Sequence, residues 1–211
     1  MAENHHPRAR GRPPIPEKEM RQRIYNVTFS LLIEQGYNIA TMDVIAQKAK
    51  IAKKTLYRFV RNREDLIEKM ILDWADIPSP SLPDNVNSSQ QVIVLLEEYL
   101  AEITNKYLSP DAIGLFKLLQ SKLPYRDILL DKYQQTGLEK DKVILASWLE
   151  YQYKEGLLKK FNFTLFSELA ISMIISDLLR KGALGLTLTE TDISPRITAI
   201  INLLKPELSK K

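Results

Sequence analysis

Every long segment of this chain repeats its apolar residues at helical spacing, and no run alternates with period two for long enough to make a strand. That pattern predicts an all-α fold of about nine helices. Met20, Ile24, Val27 and Leu31, with Thr28 and Leu32, form a first stripe starting at about residue 17, and Gly36 stops it. Thr41 can cap a short second helix over residues 42–49, with Asp43 where the helix dipole favours a negative charge. A break at Lys50 and Ile51 leads to another brief helix over 52–59, and a fourth covers 63–76. Residues 77–91 contain Pro78, Pro80 and Pro83 and read as a loop. Further helices are predicted over 92–108, 111–122 and 164–185. Residues 125–156 make one or two more, Gly137 being the place for a break. The last helix is expected to begin with Ser194 as cap and Pro195 in its first position, and to stop before Pro206.

Composition removes most familiar enzyme chemistry. The 211 residues contain no cysteine, which excludes a disulfide scaffold, a thiolate metal site and a thiol nucleophile. The two histidines, His5 and His6, stand in the polar N-terminal arm, so the body lacks an imidazole for a triad, a general base or a metal. No metal, no cofactor and no catalytic residue is expected. The first twenty residues carry four Pro and three Arg and no apolar core of a signal peptide. Residues 169–176, the most apolar charge-free stretch near the C-terminus, are far shorter than the ~20 residues a membrane span needs. A cytoplasmic protein with no membrane partner is therefore expected.

Charge is distributed unevenly. Residues 1–75 hold 14 Lys and Arg against 9 Asp and Glu, whereas the remainder holds 16 against 17. A basic first third joined to a near-neutral remainder favours a polyanion-binding module attached to a second domain. The expected boundaries are a flexible basic arm over 1–16, a basic domain over 17–76 including the fourth helix, as the candidate polyanion-binding module, and a larger helical domain over 77–211.

The two short helices inside the basic third make a helix-turn-helix candidate. Ala46 is small where the helices would cross, and Ile45, Ile51 and Leu56 can close a miniature core. Lys48, Lys53, Lys54 and Arg58 then fall on exposed positions. Residues 23–71 resemble the DNA-binding domain of the tetracycline-repressor (TetR) family of bacterial transcriptional regulators. The resemblance is carried by Gly36-Tyr37, Thr41, Asp43, Ile45-Ala46, Thr55-Leu56-Tyr57 and Arg63-Glu64-Asp65-Leu66. Residues 115–186 resemble, more distantly, the C-terminal domain of the AefR-like branch. Lys50 departs from the glycine usual at the inter-helix turn, and a left-handed backbone there would cost roughly 1–2 kcal/mol. Lys54 likewise replaces a common glycine. Val60 replaces a usual Phe, the aromatic here being Phe59, whose role stays open.

The resemblance implies that the third helix enters the major groove. Lys53, Lys54, Thr55 and Arg58 are the candidates for base or phosphate contacts, with Tyr57 as a backbone-contacting tyrosine and Arg63 as a phosphate contact. Thr41 caps its helix, holds a phosphate, or does both. Leu56 and Val60 are assigned to the core. The arm containing Arg8, Arg10 and Arg12 resembles the Arg-Gly-Arg-Pro core of an AT-hook, whose arginines enter a narrow minor groove, and is otherwise a solvated tail.

In the second domain the resemblance implies a ligand pocket, with Tyr99, Phe116, Tyr125, Trp148, Tyr151 and Met173 as candidate lining residues. It also implies a homodimer formed through the last two helices. Asp177 is expected to pair with Arg180 or Lys181, to pair across the dimer, or to serve as a polar group of the pocket. The function expected from all this is a sequence-specific regulator, a repressor released from double-stranded operator DNA by an apolar or amphipathic small molecule. The alternatives are a DNA-binding protein controlled by a protein partner or by no effector, and a helical enzyme working with carboxylates alone.

Overall fold

The computed structural model describes residues 15–75, 78–121 and 126–209. These form ten α-helices: α1 (Glu17–Gln35), α2 (Met42–Lys48), α3 (Lys53–Leu56), α4 (Arg63–Ala75), α5 (Ser89–Tyr107), α6 (Pro110–Gln120), α7 (Arg126–Thr136), α8 (Leu138–Lys154), α9 (Phe163–Ala183) and α10 (Glu190–Leu204). Among the described residues β-pairing is limited to one isolated bridge between Leu158 and Leu208. The fold is all-α, as the periodicity implies. The count reaches ten because Gly137 divides the segment after residue 125 into α7 and α8. The chain separates into two compact units, one ending at Leu66 and one beginning at Ile67, so the division falls inside α4.

The first unit closes around α1, α2 and α3. Ile24, Leu31, Leu32, Ala40, Ile45, Ala46, Ala49, Leu56, Val60 and Leu66 are all buried. Thr28 is buried too, and its hydroxyl donates to the Ile24 carbonyl at 2.8 Å, which makes a polar side chain acceptable in that stripe. Ile51 differs from expectation: it is half-buried rather than in the core. The third helix is also shorter than its apolar pattern suggests. It gives way to turns over residues 57–59, where Arg58 and Phe59 bond to carbonyls three residues back.

The reversal between α2 and α3 has a definite chemistry. The Ile51 amide donates to the Ala46 carbonyl and the Lys50 amide to the Gln47 carbonyl, both at 3.0 Å. This is a Schellman arrangement, and it requires the residue at the Lys50 position to take a left-handed backbone. Lys50 does so, with φ of 53°, the one non-glycine with positive φ among the described residues. The same pair of bonds closes α8 and α9, where Gly156 and Gly185 occupy the corresponding position.

The second unit buries one face each of α5, α8, α9 and α10 in a common core that includes Leu96, Leu100, Leu145, Leu149, Ile174, Leu178 and Ile200. Asp141 is fully buried on α8. Lys106 lies 3.0 Å from its Oδ2, and the Tyr107 hydroxyl donates to the same oxygen at 2.6 Å. A buried carboxylate survives in an apolar interior only when it is paired and hydrogen-bonded in this way. The Tyr99 hydroxyl donates to the Asp141 main-chain carbonyl at 2.9 Å.

The start of the last helix corrects the reading based on Ser194 and Pro195. Here α10 begins at Glu190, because Asp192 reaches back to accept from the Thr189 amide at 3.0 Å and its hydroxyl at 2.7 Å. That reciprocal closure satisfies the helix end earlier than a Ser194 cap would. Pro195 therefore lies in the helix interior and forgoes one main-chain bond. Asp177 pairs with Arg180 at 2.7 Å and Lys181 at 3.4 Å, as its spacing suggests, and also with Arg196 of α10 at 2.7 Å.

Two measurements check these local arrangements. Replacing Lys50 by Gly should stabilise the protein by about 0.5–1 kcal/mol in urea unfolding, the left-handed penalty less the added freedom of the unfolded chain. A neutral or destabilising result would mean that the turn is unstrained. Asp177 supplies a pH dependence. Hydrogen bonds from Arg180, then Arg196, hold its carboxyl at about 2, below its ordinary 3.8. Its contribution to stability is thus complete above about pH 4 and lost as pH falls through 2. Asp177→Asn should therefore flatten the loss of thermal stability between pH 4 and pH 2. An identical acid profile in the variant would show that the network contributes nothing.

Candidate nucleic-acid interface

Thr41 precedes α2 in an extended conformation, and its hydroxyl accepts from the Val44 amide at 3.3 Å. The capping half of its expected role is therefore in place. Its side chain is exposed, so the hydroxyl also faces solvent beside the helix N-terminus. The turn at Lys50 then sets α3 against α2. One side of the α3 segment is buried through Leu56 and Val60, while Lys53, Lys54, Tyr57 and Arg58 are exposed and Thr55 is half-buried. Phe59 is half-buried.

This segregation follows from the sequence. Leu56 and Val60 are four apart and face the core, which leaves Lys53, Lys54, Tyr57 and Arg58 on the outward side and Thr55 and Phe59 at its edges. The result is a short cationic surface carrying one guanidinium, two ammonium groups, a phenol and a hydroxyl. Lys53 is not entirely unengaged: its Nζ forms an ion pair with Asp43 across the turn, and the hydrogen bond it donates to this carboxylate raises its pKa. Both partners are more than half exposed, so the pair is open to exchange for a phosphate.

Arg63 stands apart from that cationic surface. Its Nη1 donates to the Tyr37 carbonyl at 2.9 Å, and its guanidinium carbon lies 3.7 Å from the centroid of the Tyr37 ring. The Tyr37 hydroxyl in turn donates to Glu64 Oε1 at 2.6 Å. Burial, then the bond to Glu64, raises the Tyr37 pKa, and the bond from Tyr37 is the main cause lowering that of Glu64. Tyr37 is 26 residues from Arg63 and 27 from Glu64, a pairing that no local pattern in the sequence announces. Arg8, Arg10 and Arg12 lie outside the described residues.

The candidate pocket residues of the second unit differ in exposure. Tyr99 is buried in the core, and so is Trp148, whose indole N–H donates to the Pro83 carbonyl at 2.8 Å. Phe116 is half-buried against the same core. Tyr151 and Met173 are exposed, and Tyr125 lies outside the described residues. An open cleft of about 690 Å³ runs along α8 and the start of α9, with Val143, Tyr153, Phe161 and Phe163 among its apolar walls and Glu150, Lys160 and Glu168 among its polar ones. Phe161 meets Phe163 edge-on with centroids 4.5 Å apart. The cluster of Tyr153, Phe161 and Phe163 around the turn after α8 is the signal of this cleft in the sequence, and it is separate from the residues expected to line a pocket.

Comparison with known proteins bears on the two units differently. Residues 24–70 match the family model of bacterial regulatory proteins of the tetR family. The HTH-type transcriptional regulator YdeS of Bacillus subtilis (strain 168) is 32% identical over 84 residues, which span 40% of this chain and 41% of that one. Among solved structures, a TetR transcriptional regulator from Agrobacterium tumefaciens superimposes with a TM-score of 0.74 at 19% identity, covering 92% of this chain and 96% of that one. The flavonoid-responsive regulator FrrA does so with a TM-score of 0.67 at 21% identity, covering 92% and 100%. The structural likenesses extend the shared fold over both units. Residues 24–70 are thus similar to the helix-turn-helix segment of the tetR family of bacterial regulatory proteins, and the likeness of the remainder is one of fold.

Proposed function

We propose that this protein is a cytoplasmic transcriptional repressor that binds double-stranded operator DNA as a homodimer and leaves it when a small molecule occupies the second unit. The observation that carries the DNA-binding reading is the two-sided α3 segment, with Leu56 and Val60 buried while Lys53, Lys54, Tyr57 and Arg58 face outward. Cations of this kind neutralise phosphates, and the fork of Arg58 matches the major-groove edge of guanine. Thr41 adds a hydroxyl and a helix N-terminus for a further phosphate.

Exposed apolar stripes support the homodimer. Leu165, Leu169 and Met173 follow one another at four-residue spacing on α9 and are each about half exposed, and Leu203 on α10 is 60% exposed. A second copy of the same two helices would cover them. For the effector, the cleft along α8 and α9 has the volume of a small-molecule site, and its mixed aromatic and charged walls suit an amphipathic ligand. The flavonoid-responsive character of FrrA, a protein of the same fold, supports this part of the reading. Such a ligand releases DNA only if it binds the DNA-free form more tightly, and operator DNA must weaken its binding by the same factor.

The test is binding to a duplex enriched from a random pool by the wild-type protein, followed at several salt concentrations alongside sedimentation of the free protein. A dimer with a steep salt dependence is expected. Lys54→Ala should reduce the log–log slope by about 0.9 for each phosphate contact removed. Arg58→Ala should relax base preference at one position if it reads guanine, at about 1–3 kcal/mol. A monomer, or binding indifferent to salt, would contradict the proposal.

A further inference from the structure

We infer that Arg63, Tyr37 and Glu64 form a clamp across the two ends of the DNA-reading segment, and that Arg63 serves DNA binding as a positioning residue rather than as a phosphate contact. The inference rests on the DNA-binding reading above and adds to it a device that sets the geometry of α2 and α3.

The clamp is a closed circuit. From the first residue of α4, Arg63 donates to the Tyr37 main-chain carbonyl at 2.9 Å and lays its guanidinium 3.7 Å over the Tyr37 ring. The ring's hydroxyl returns to α4 by donating to Glu64 Oε1 at 2.6 Å, and Arg63 Nε lies 3.7 Å from that same oxygen. Tyr37 follows Gly36, which ends α1, so the circuit joins the turn after α1 to the first turn of α4. Both short helices, α2 and α3, lie between these two points in the chain. Closing the ends of that segment removes freedom that two helices of seven and four residues could not remove by themselves.

Exposure separates Arg63 from the other cations. Its side chain is 23% exposed, against 53% for Lys53, and its flat face is covered by the phenol ring. A phosphate contact would need only a charge, which lysine also supplies. Stacking on a ring while donating in the guanidinium plane is a task for arginine alone. The directions at the other two members agree: burial and then the bond it donates to Glu64 raise the Tyr37 pKa, and that bond lowers the pKa of Glu64.

The experiment compares Arg63→Lys, Arg63→Ala and Tyr37→Phe in the full chain, each verified as folded by circular dichroism. The probe is the duplex enriched by the wild-type protein, measured over a range of salt. The clamp predicts that Arg63→Lys and Arg63→Ala lose affinity alike, by about tenfold, with the salt slope unchanged. It predicts a smaller loss of the same kind for Tyr37→Phe, which alters no charge. Wild-type affinity for Arg63→Lys, with a slope lowered by about 0.9 per protomer in Arg63→Ala, would identify a phosphate contact and overturn the inference. A second arm needs no DNA. Amide hydrogen exchange should quicken together at residues 37–41 and 63–66 in Arg63→Lys and in Tyr37→Phe. Unchanged exchange at either segment would also overturn the clamp. Failure of the wild-type protein to enrich any duplex would sink the DNA-binding reading, while the exchange arm would still decide the clamp.

Discussion

The reversal at Lys50 is the constraint on which the first unit depends. Two helices of seven and four residues are too short to hold together by main-chain hydrogen bonds alone. They persist because Ile45, Ala46, Ala49, Leu56 and Val60 meet in one core, and those side chains meet only if the chain turns sharply after α2. The left-handed backbone at Lys50, with the bonds from Ile51 to Ala46 and from Lys50 to Gln47, makes that turn. A lysine at this place accepts backbone strain that Gly156 and Gly185 avoid in the equivalent turns of the second unit. What it adds in return is a further exposed cation beside the α3 surface.

From that turn the surface follows. Burying Leu56 and Val60 leaves Lys53, Lys54, Tyr57 and Arg58 facing outward, so core packing and the presentation of positive charge are two consequences of one local course of the backbone through α3 and the turns after it. The ion pair of Lys53 with Asp43 and the circuit of Arg63 with Tyr37 and Glu64 then divide the cations of the region. Some face solvent, some are held by a neighbour, and charge counting alone treats them as equal.

Features decided within a few residues were legible in the sequence. Gly36 ends α1, Thr41 caps α2 and Gly137 separates α7 from α8, while the left-handed backbone at Lys50 was signalled by the glycine usual at that turn in the family it resembles. Local competition could still mislead: Ser194 followed by Pro195 has the form of a helix start, but Thr189 with Asp192 closes the helix earlier and the proline is absorbed into its interior. Features that join distant segments were not legible. Nothing within four residues of Asp141 in the sequence announces Tyr107, 34 residues away, as its partner. The same holds for Tyr37 with Glu64 and for Trp148 with the Pro83 carbonyl. The aromatic residues named for a pocket show the same limit. Helical spacing does not say which aromatics are buried: Tyr99 and Trp148 lie in the core, whereas Tyr151 is exposed.

The central claim is that the α3 surfaces of two protomers enter two major grooves on one face of a duplex. Methylation interference at guanine N7, on DNA enriched by the wild-type protein, tests it most directly, because N7 lies in the major groove. The account predicts two clusters of interference on one face, about 34–36 Å apart or at a larger matching spacing. It also predicts that Arg58→Ala alters the pattern symmetrically in both clusters. A single uninterrupted patch, or interference indifferent to every substitution in α3, would contradict it.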